Sequence, residues 1–491
     1  QLTAGGGVAK AGETMLGLLN DYSNMTADAT FGSFATTFNT KAAGSQALSQ
    51  TAGTATGTYA AVVAVNPSLT LTSATQTSTG TAGDDTFTAA AGTWGTGDVV
   101  NGGTGADTLN ATVTGTAPTQ SATSLVGIEV LNLTPSPNPT TLDLTGVTGL
   151  TQVNNASPAN GATLSVTGLG NVVNTTITGG NTTTTLSYAT AAVASTTADA
   201  ATVSLKGTAA GSGFTTTGIE TLTINSGTSA NTLALSAVGM SKLVVTGDQA
   251  LTLTGTTGNS GSSTVVGTTT FDLSAATGAL TLTTGNGTGG TGSVVGATVT
   301  GPTAATAGAL NLTTGSLNDT ITLGAGANTV DAKAGNDTIT DGAGNDTVSI
   351  TTTSNDVDWT NTSTVEVLAV VGAFTSTLGS AASTAGFGRA QLGAVGTVEN
   401  ITVGSGFAND LTVVMAATGT PDADVVSAAA YTKNLTVQTA NVNGLTGTYT
   451  GGTGSADRIV FDLTSNAITQ ANIAGITAIE SIVTTGSGAN G

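Results

Sequence analysis

From about residue 66 onward, apolar and hydroxyl side chains alternate along the chain. Ser68-Leu69-Thr70-Leu71-Thr72, Leu251-Thr252-Leu253-Thr254, Ala279-Leu280-Thr281-Leu282-Thr283 and Leu411-Thr412-Val413-Val414 all follow this rule. Period two predicts strands with one face buried and the other in water. Gly, Asn and Asp interrupt the runs roughly every eight to twelve residues and supply the turns. Residues 1–65 have a different rhythm. Apolar residues recur at helical spacing between Val8 and Leu19, and Phe31, Phe34 and Phe38 fall on one helical face. One or two short helices are predicted there, with the three rings as a packing stripe.

Composition sharpens this picture. Thr makes up about a fifth of the chain and Gly 70 of 491 residues, while aromatics are only 3%. Such small side chains cannot fill one bulky core, but they suit a thin solenoid in which each coil packs on its neighbours. The expected fold is mainly β: an elongated parallel β-solenoid with a short α-helical N-terminal segment.

Charge and missing residue types exclude several functions. Asp and Glu number 28 against 8 Lys and Arg, a net charge of −20, and Cys and His are both absent. No disulfide framework, thiolate metal site, imidazole base or Ser–His–Asp triad can be built. Eight cations cannot coat a phosphate backbone, so nucleic acid is not an expected partner. No apolar run reaches the roughly 18 residues of a membrane-spanning helix. Residues 1–20 lack the plan of a cleaved secretory signal.

One apolar–Glu segment recurs ahead of strands. It appears as Ile128-Glu129, Ile219-Glu220, Val365-Glu366, Val398-Glu399 and Ile479-Glu480. Five copies argue against catalysis, which needs one site. The expected role is structural, with Glu pinning a turn or accepting backbone N–H bonds where a strand begins. Asp143, Asp272 and Asp462, each between an apolar residue and Leu, are expected at solenoid corners.

The most specific feature is a nine-residue period. Asp319, Asn328, Asp337 and Asp346 are each nine apart, and an aliphatic follows two residues later at Ile321, Val330, Ile339 and Val348. Gly324, Gly326, Gly335, Gly342 and Gly344 lie between them. This is the pattern G-G-x-G-x-D-x-U-x, a calcium-binding nonapeptide of parallel β-helices. Gly102-Gly103-Thr104-Gly105-Ala106-Asp107-Thr108-Leu109-Asn110 matches it at every defined position, with Asp98 nine residues earlier. Gly83-Asp84-Asp85 resembles an earlier turn separated by an insertion. Asn355-Asp356 is expected to begin a fifth, imperfect turn of the later run, and Gly451–Asp457 reads as a degenerate copy with one residue too many.

Two nonamers complete one coil, so Asp319 should stack on Asp337 and Asn328 on Asp346, about 4.8 Å apart. Stacked carboxylates repel by roughly 3–4 kcal/mol at an effective dielectric near 20. Ca2+ between them reverses the sign, because it takes six to eight oxygens and Gly-rich turns can aim carbonyls at it. Several Ca2+ ions are therefore expected. The candidate ligand residues and turn glycines are Asp85, Asp98, Gly103, Gly105, Asp107, Asp319, Gly324, Gly326, Asn328, Gly335, Asp337, Gly342, Gly344 and Asp346.

Residues 68–155 resemble the RTX-type surface-layer proteins of Caulobacter-like bacteria. The shared order is a Leu/Thr strand, Gly80-Thr81-Ala82-Gly83-Asp84-Asp85-Thr86-Phe87, then Gly102–Asp107, Gly127-Ile128-Glu129 and Leu144-Thr145-Gly146-Val147-Thr148-Gly149-Leu150. The composition and the Glu-marked strands extend the likeness to residue 491. The resemblance implies a secreted protein, exported by a type I system with an uncleaved C-terminal signal, that folds on meeting calcium and tiles a Gram-negative cell surface. Its implied partners are copies of itself and a lipopolysaccharide or other surface-glycan anchor held by an N-terminal helical region. Residues 485–491 lack the apolar tail of such a signal, so the sequence reads as part of a longer protein.

The chain divides into a helical segment at 1–65, a first RTX-like part at 66–150, a Thr/Gly-rich part at 151–315, nonapeptide repeats at 316–360 and a C-terminal part at 361–491. The alternative function is an RTX-type adhesin or biofilm-matrix filament. An enzyme is not expected. A polysaccharide lyase would need a cationic groove, and Lys10, Lys41, Lys206, Lys242, Lys333, Arg389, Lys433 and Arg458 are widely scattered.

Overall fold

The described residues wind into a stack of coils in which strands pair in parallel with their counterparts one coil away. The structure is a computed structural model. It describes residues 68–485 apart from 116–122, 136–139, 157–159, 195–197, 255–269, 285–286, 289–293, 393–396, 416–422, 441–444, 446 and 463–467. The helical segment expected at 1–65, with its Phe stripe, lies outside the described residues.

Two long sheets form the body. A 14-stranded sheet runs from Ser68–Thr70 to Thr362–Ser363, and a 16-stranded sheet from Thr140–Asp143 to Ser481–Thr484. A 3-stranded sheet faces the first coils, and a 5-stranded sheet alternates with the 16-stranded one from Thr375–Leu378 to Ile476–Thr477. Gly287–Thr288 and Val294–Val295 pair as an antiparallel hairpin.

Alternation decides which side chains enter the core. In Leu280–Thr283 both Leu side chains are buried and Thr281 and Thr283 are exposed. Inward residues then stack from coil to coil. Phe87, Leu109, Leu131 and Val153 form one column, and Leu243, Phe271, Val299, Ile321 and Ile339 another. All nine are at most 3% exposed. Burying each contributes about 1.5–3 kcal/mol, and no residue outside the adjoining coils is needed to do so.

Amides stack as well. Asn132 donates to Asn110 at 2.8 Å and Asn154 to Asn132 at 2.7 Å, a ladder on the outer side of three successive strands. Inside, Asn155 donates to Thr184 Oγ1 at 2.9 Å, and both are fully buried, so the lumen is partly polar there.

The expected fifth turn at Asn355-Asp356 takes another form. Asp356–Trp359 is a 3-10 turn, and the Asp356 carboxylate accepts N–H bonds from Gly379, Ala381 and Ala382. It thereby caps the short helix Ser380–Ala385, whose first N–H groups have no partner within the helix. Trp359 packs edge-on against Phe387 with ring centroids 5.0 Å apart. This insert sits where the 14-stranded sheet ends.

Candidate metal centre

Each nonapeptide places its sixth residue just before a strand. Strand pairing then fixes what lies above it. Thr320 pairs with Thr338 and Thr329 with Thr347, so Asp319 stacks on Asp337 and Asn328 on Asp346 at a separation of 18 residues, as the spacing predicts. The two pairs lie on different edges, one entering the 14-stranded sheet and the other the 16-stranded sheet.

The first cluster has a longer coil. Asp107 stacks on Asp85 across 22 residues, and Asp98 stacks on Gln76 across 22 residues on the other edge. Asp98 and Asp107, nine apart in sequence, therefore do not share a site.

The stack has a repeated geometry. One carboxylate oxygen accepts the backbone N–H of the matching residue one coil earlier. Asp107 accepts from Asp85 at 2.7 Å, Asp319 from Ala297 at 2.6 Å, Asp337 from Asp319 at 2.8 Å, and Asp346 from Asn328. Asp85 instead spends one oxygen on Thr81 of its own turn. Among the stack acids the remaining oxygen takes one of two forms. In Asp85, Asp107, Asp319 and Asp346 it is buried with no hydrogen-bond partner. In Asp98 it accepts from Gly95 at 2.7 Å, and in Asp457 from Gly452 at 2.7 Å. Asn328 is buried and spends its amide on Gly326 O at 3.0 Å.

A buried carboxylate oxygen facing no donor is costly unless a cation meets it. The surrounding backbone suits one. A Cβ on Gly102 would fall 1.9 Å from Gly127 O and 2.4 Å from Asp107 Oδ2. One on Gly342 would fall 1.9 Å from Gly324 O, and one on Gly344 2.0 Å from Gly326 O. Carbonyls and carboxylates thus converge where only glycine fits. Gly103, Gly105, Gly324 and Gly326 also have positive φ (98°, 134°, 78° and 101°), which glycine adopts without strain. Gly335 holds the same turn, with Leu317 O 2.5 Å and Asp337 Oδ1 2.7 Å from where its Cβ would be. All-oxygen donors, flexible carbonyls and excess negative charge fit Ca2+.

Titration follows the same geometry. Burial, then the Asp319 charge, push Asp337 up to about 6. Burial also raises Asp319, and burial with the Asp85 and Asp84 charges raises Asp107. Asp341 is pushed up to about 8 by burial and by the Asp346 carboxyl beside it. Asp272 goes the other way, held down by the Ser274 hydroxyl and the Lys242 ammonium.

Four of the five Glu of the recurring segment extend the same ladder. Glu129, Glu220, Glu366 and Glu480 accept the backbone N–H of Asp107, Asp199, Asp346 and Asp457 at 2.7–2.9 Å. Glu399 differs: its own N–H donates to Asp424 at 2.9 Å, and the Thr397 hydroxyl donates to its carboxylate.

One further residue reads in sequence as part of a degenerate copy, and one has no pattern. Asp457 is fully buried and accepts from Leu435 N at 2.7 Å, in register with the regular Asp residues although its turn has one residue more. Its Gly451-Gly452-x-Gly454 glycines, closely approached by carbonyls of other coils, were the available signal. Asp341 stands where the motif has its first Gly, and no sequence pattern marks it as a ligand.

A family model for the RTX calcium-binding nonapeptide repeat matches four copies, at residues 95–112 and 313–348. A search of curated proteins finds no match to the chain. The protein is a β-solenoid carrying RTX repeats, and its metal is calcium. Asp85, Asp107, Asp319, Asp337 and Asp346, with the carbonyls of the glycine turns, are the groups that would hold the ions.

Proposed function

We propose that this chain is a structural subunit of a calcium-dependent two-dimensional surface layer on a Gram-negative cell. It leaves by type I secretion and folds and assembles when it meets Ca2+. RTX repeat proteins are typically secreted, and no helix among the described residues is long and apolar enough to cross a membrane. The observation that carries the reading is the set of buried, unpartnered carboxylate oxygens at Asp85, Asp107, Asp319 and Asp346. They make the folded stack unfavourable without a cation and favourable with one, so folding is coupled to calcium.

A lattice role is supported by the solenoid itself. Its outward faces carry rows of Thr at strand spacing, as in the exposed Thr320 and Thr338. Such surfaces present repeated hydrogen-bonding groups to a neighbouring copy. The described cations do not form a groove for an acidic sugar, since Lys242 and Lys333 are paired with Asp272 and Asp331 and the others are scattered. This supports a structural rather than an enzymatic role. A surface-glycan anchor is part of the same proposal.

The test is calcium titration of chelated protein, read by circular dichroism, light scattering and negative-stain microscopy on one sample. A rise in β signal with planar ordered sheets is expected. A rise in β signal with fibres or monomers only would replace the surface layer by the adhesin or filament. No response at millimolar calcium would overturn both.

A further inference from the structure

The last nonapeptide of the second run is flanked by two further acids. Asp341 occupies its first position, where the other copies of the run carry Thr314, Leu323 and Ala332, and Glu366 stacks on Asp346 as Glu129 stacks on Asp107. This placement brings three carboxylates together. One oxygen from each of Asp341, Asp346 and Glu366 lies within 4.8 Å of the others.

Asp346 shows that the cluster is aimed at something. It is fully buried, one of its oxygens accepts from Asn328 N, and the other has no hydrogen-bond partner. Glu366 spends Oε2 on the Asp346 N–H at 2.9 Å, and Asp341 spends Oδ1 on the Gly342 N–H. Each acid therefore keeps one oxygen to offer. The two ion pairs among the described residues are Lys242–Asp272 and Lys333–Asp331, so neither neutralises the trio.

We propose that Asp341, Asp346 and Glu366 form a three-carboxylate calcium site that fastens the nonapeptide stack to the C-terminal coils. Its place in the fold supports that role. The 14-stranded sheet ends at Thr362–Ser363, immediately before Glu366, and the 5-stranded sheet begins at Thr375–Leu378. Only the 16-stranded sheet runs unbroken through this region, through Thr347–Ile350 and Val367–Val370. Backbone bonds from Asp341 N to Ser363 O and from Val367 N to Asp346 O already bring the two coils together. A divalent ion held by both coils adds a clamp where one of the two continuous sheets is lost. Three anionic oxygens in one place also exceed the two carboxylates that a regular stacked pair supplies, so this site should fill before the others.

The test uses the full chain, kept dilute so that lattice formation cannot enter the result. Glu366→Gln keeps an oxygen to accept the Asp346 N–H and removes only the charge. Asp341→Asn does the same at the first position. Calcium per chain would be counted by native mass spectrometry across a calcium titration, with amide exchange on the same samples. Each variant should lose one ion, or bind its first ion at least tenfold more weakly. Exchange should quicken in Val367–Val370 and Arg389–Leu392 but not in Thr163–Leu169. Unchanged stoichiometry and affinity would overturn the site and show that the trio shares protons without an ion. Loss of the ion with unchanged exchange would overturn the clamp. Planar assembly by either variant at high calcium leaves the surface-layer reading intact, so the two ideas fail separately.

Discussion

A buried carboxylate stacked on a second carboxylate is favourable only when protonated or metal-bound. The structure thus predicts opposite acid responses with and without calcium. In the chelated protein, Asp337 rises from 3.8 to about 6 because it is buried beside Asp319. The folded chain then holds this proton more tightly than the unfolded one. Its contribution to stability is full below about pH 4 and is lost as pH rises through about 6. Calcium needs the ionised carboxylate, so acid displaces it and the metal-bound form weakens across the same window. Thermal midpoints measured from pH 4.5 to 7.5 should rise on acidification with chelator and fall with saturating calcium. Two parallel profiles would refute the assignment. Gly102 gives a second check at this scale. An Ala methyl there would lie 2.4 Å from Asp107 Oδ2 and 1.9 Å from Gly127 O, inside the cradle. Gly102→Ala should abolish calcium uptake by the first cluster while the 319–346 run still binds, as counted by equilibrium dialysis.

Among elements, the informative feature is the Glu that follows the Asp85–Asp107 and Asn328–Asp346 stacks. Glu129 accepts the N–H of buried Asp107 at 2.7 Å. Glu129→Ala would leave that N–H unsatisfied and should destabilise by about 1–3 kcal/mol. Glu129→Gln keeps the acceptor and should recover most of the loss in a urea titration at saturating calcium. Equal losses for both would mean that charge, not the hydrogen bond, matters. The strands and the nine-residue phase were legible in sequence because both rest on strict local periods. Leu251–Thr254 alternates buried and outward residues as its letters suggest, and Asp319 sits on Asp337 because 18 residues make one coil. In the first cluster the insertion was legible, but the 22-residue coil it produces was not. The turn between Ala89 and Asp98, with Gly92 at φ 75°, lengthens the coil to 22 residues without disturbing the stack. Asp457 was legible only as the Asp of a degenerate copy for the same reason, since a turn absorbs its extra residue. The Ser380–Ala385 helix was hidden because six small residues carry no apolar period, and the cap that starts it, Asp356, lies 23 residues or more upstream. Sequence shows the period of a solenoid well, and shows poorly what its turns can absorb.

For the whole molecule, neighbour-only packing decides how calcium acts. Each inward column is continuous, yet every residue in it meets only the coils on either side. Net charge reinforces this. With 28 acids and 8 bases the calcium-free chain repels itself throughout, but the stacked acids that metal can relieve are grouped near 85–129 and 319–366. Losing one ion should therefore loosen a block of coils and leave distant coils protected. Asp337→Asn removes a charged ligand from the later block while an oxygen remains to accept the Asp319 N–H, which it now receives at 2.8 Å. Amide exchange at limiting calcium should quicken in Thr298–Thr300, Thr320–Thr322 and Thr338–Thr340, with little change in Thr163–Leu169 or Thr221–Gly227. Uniform quickening across all of these strands would show that the solenoid opens as one cooperative unit. Calcium would then act as a single switch for the whole chain, and the two acidic blocks would have to communicate through the Thr/Gly-rich coils between them.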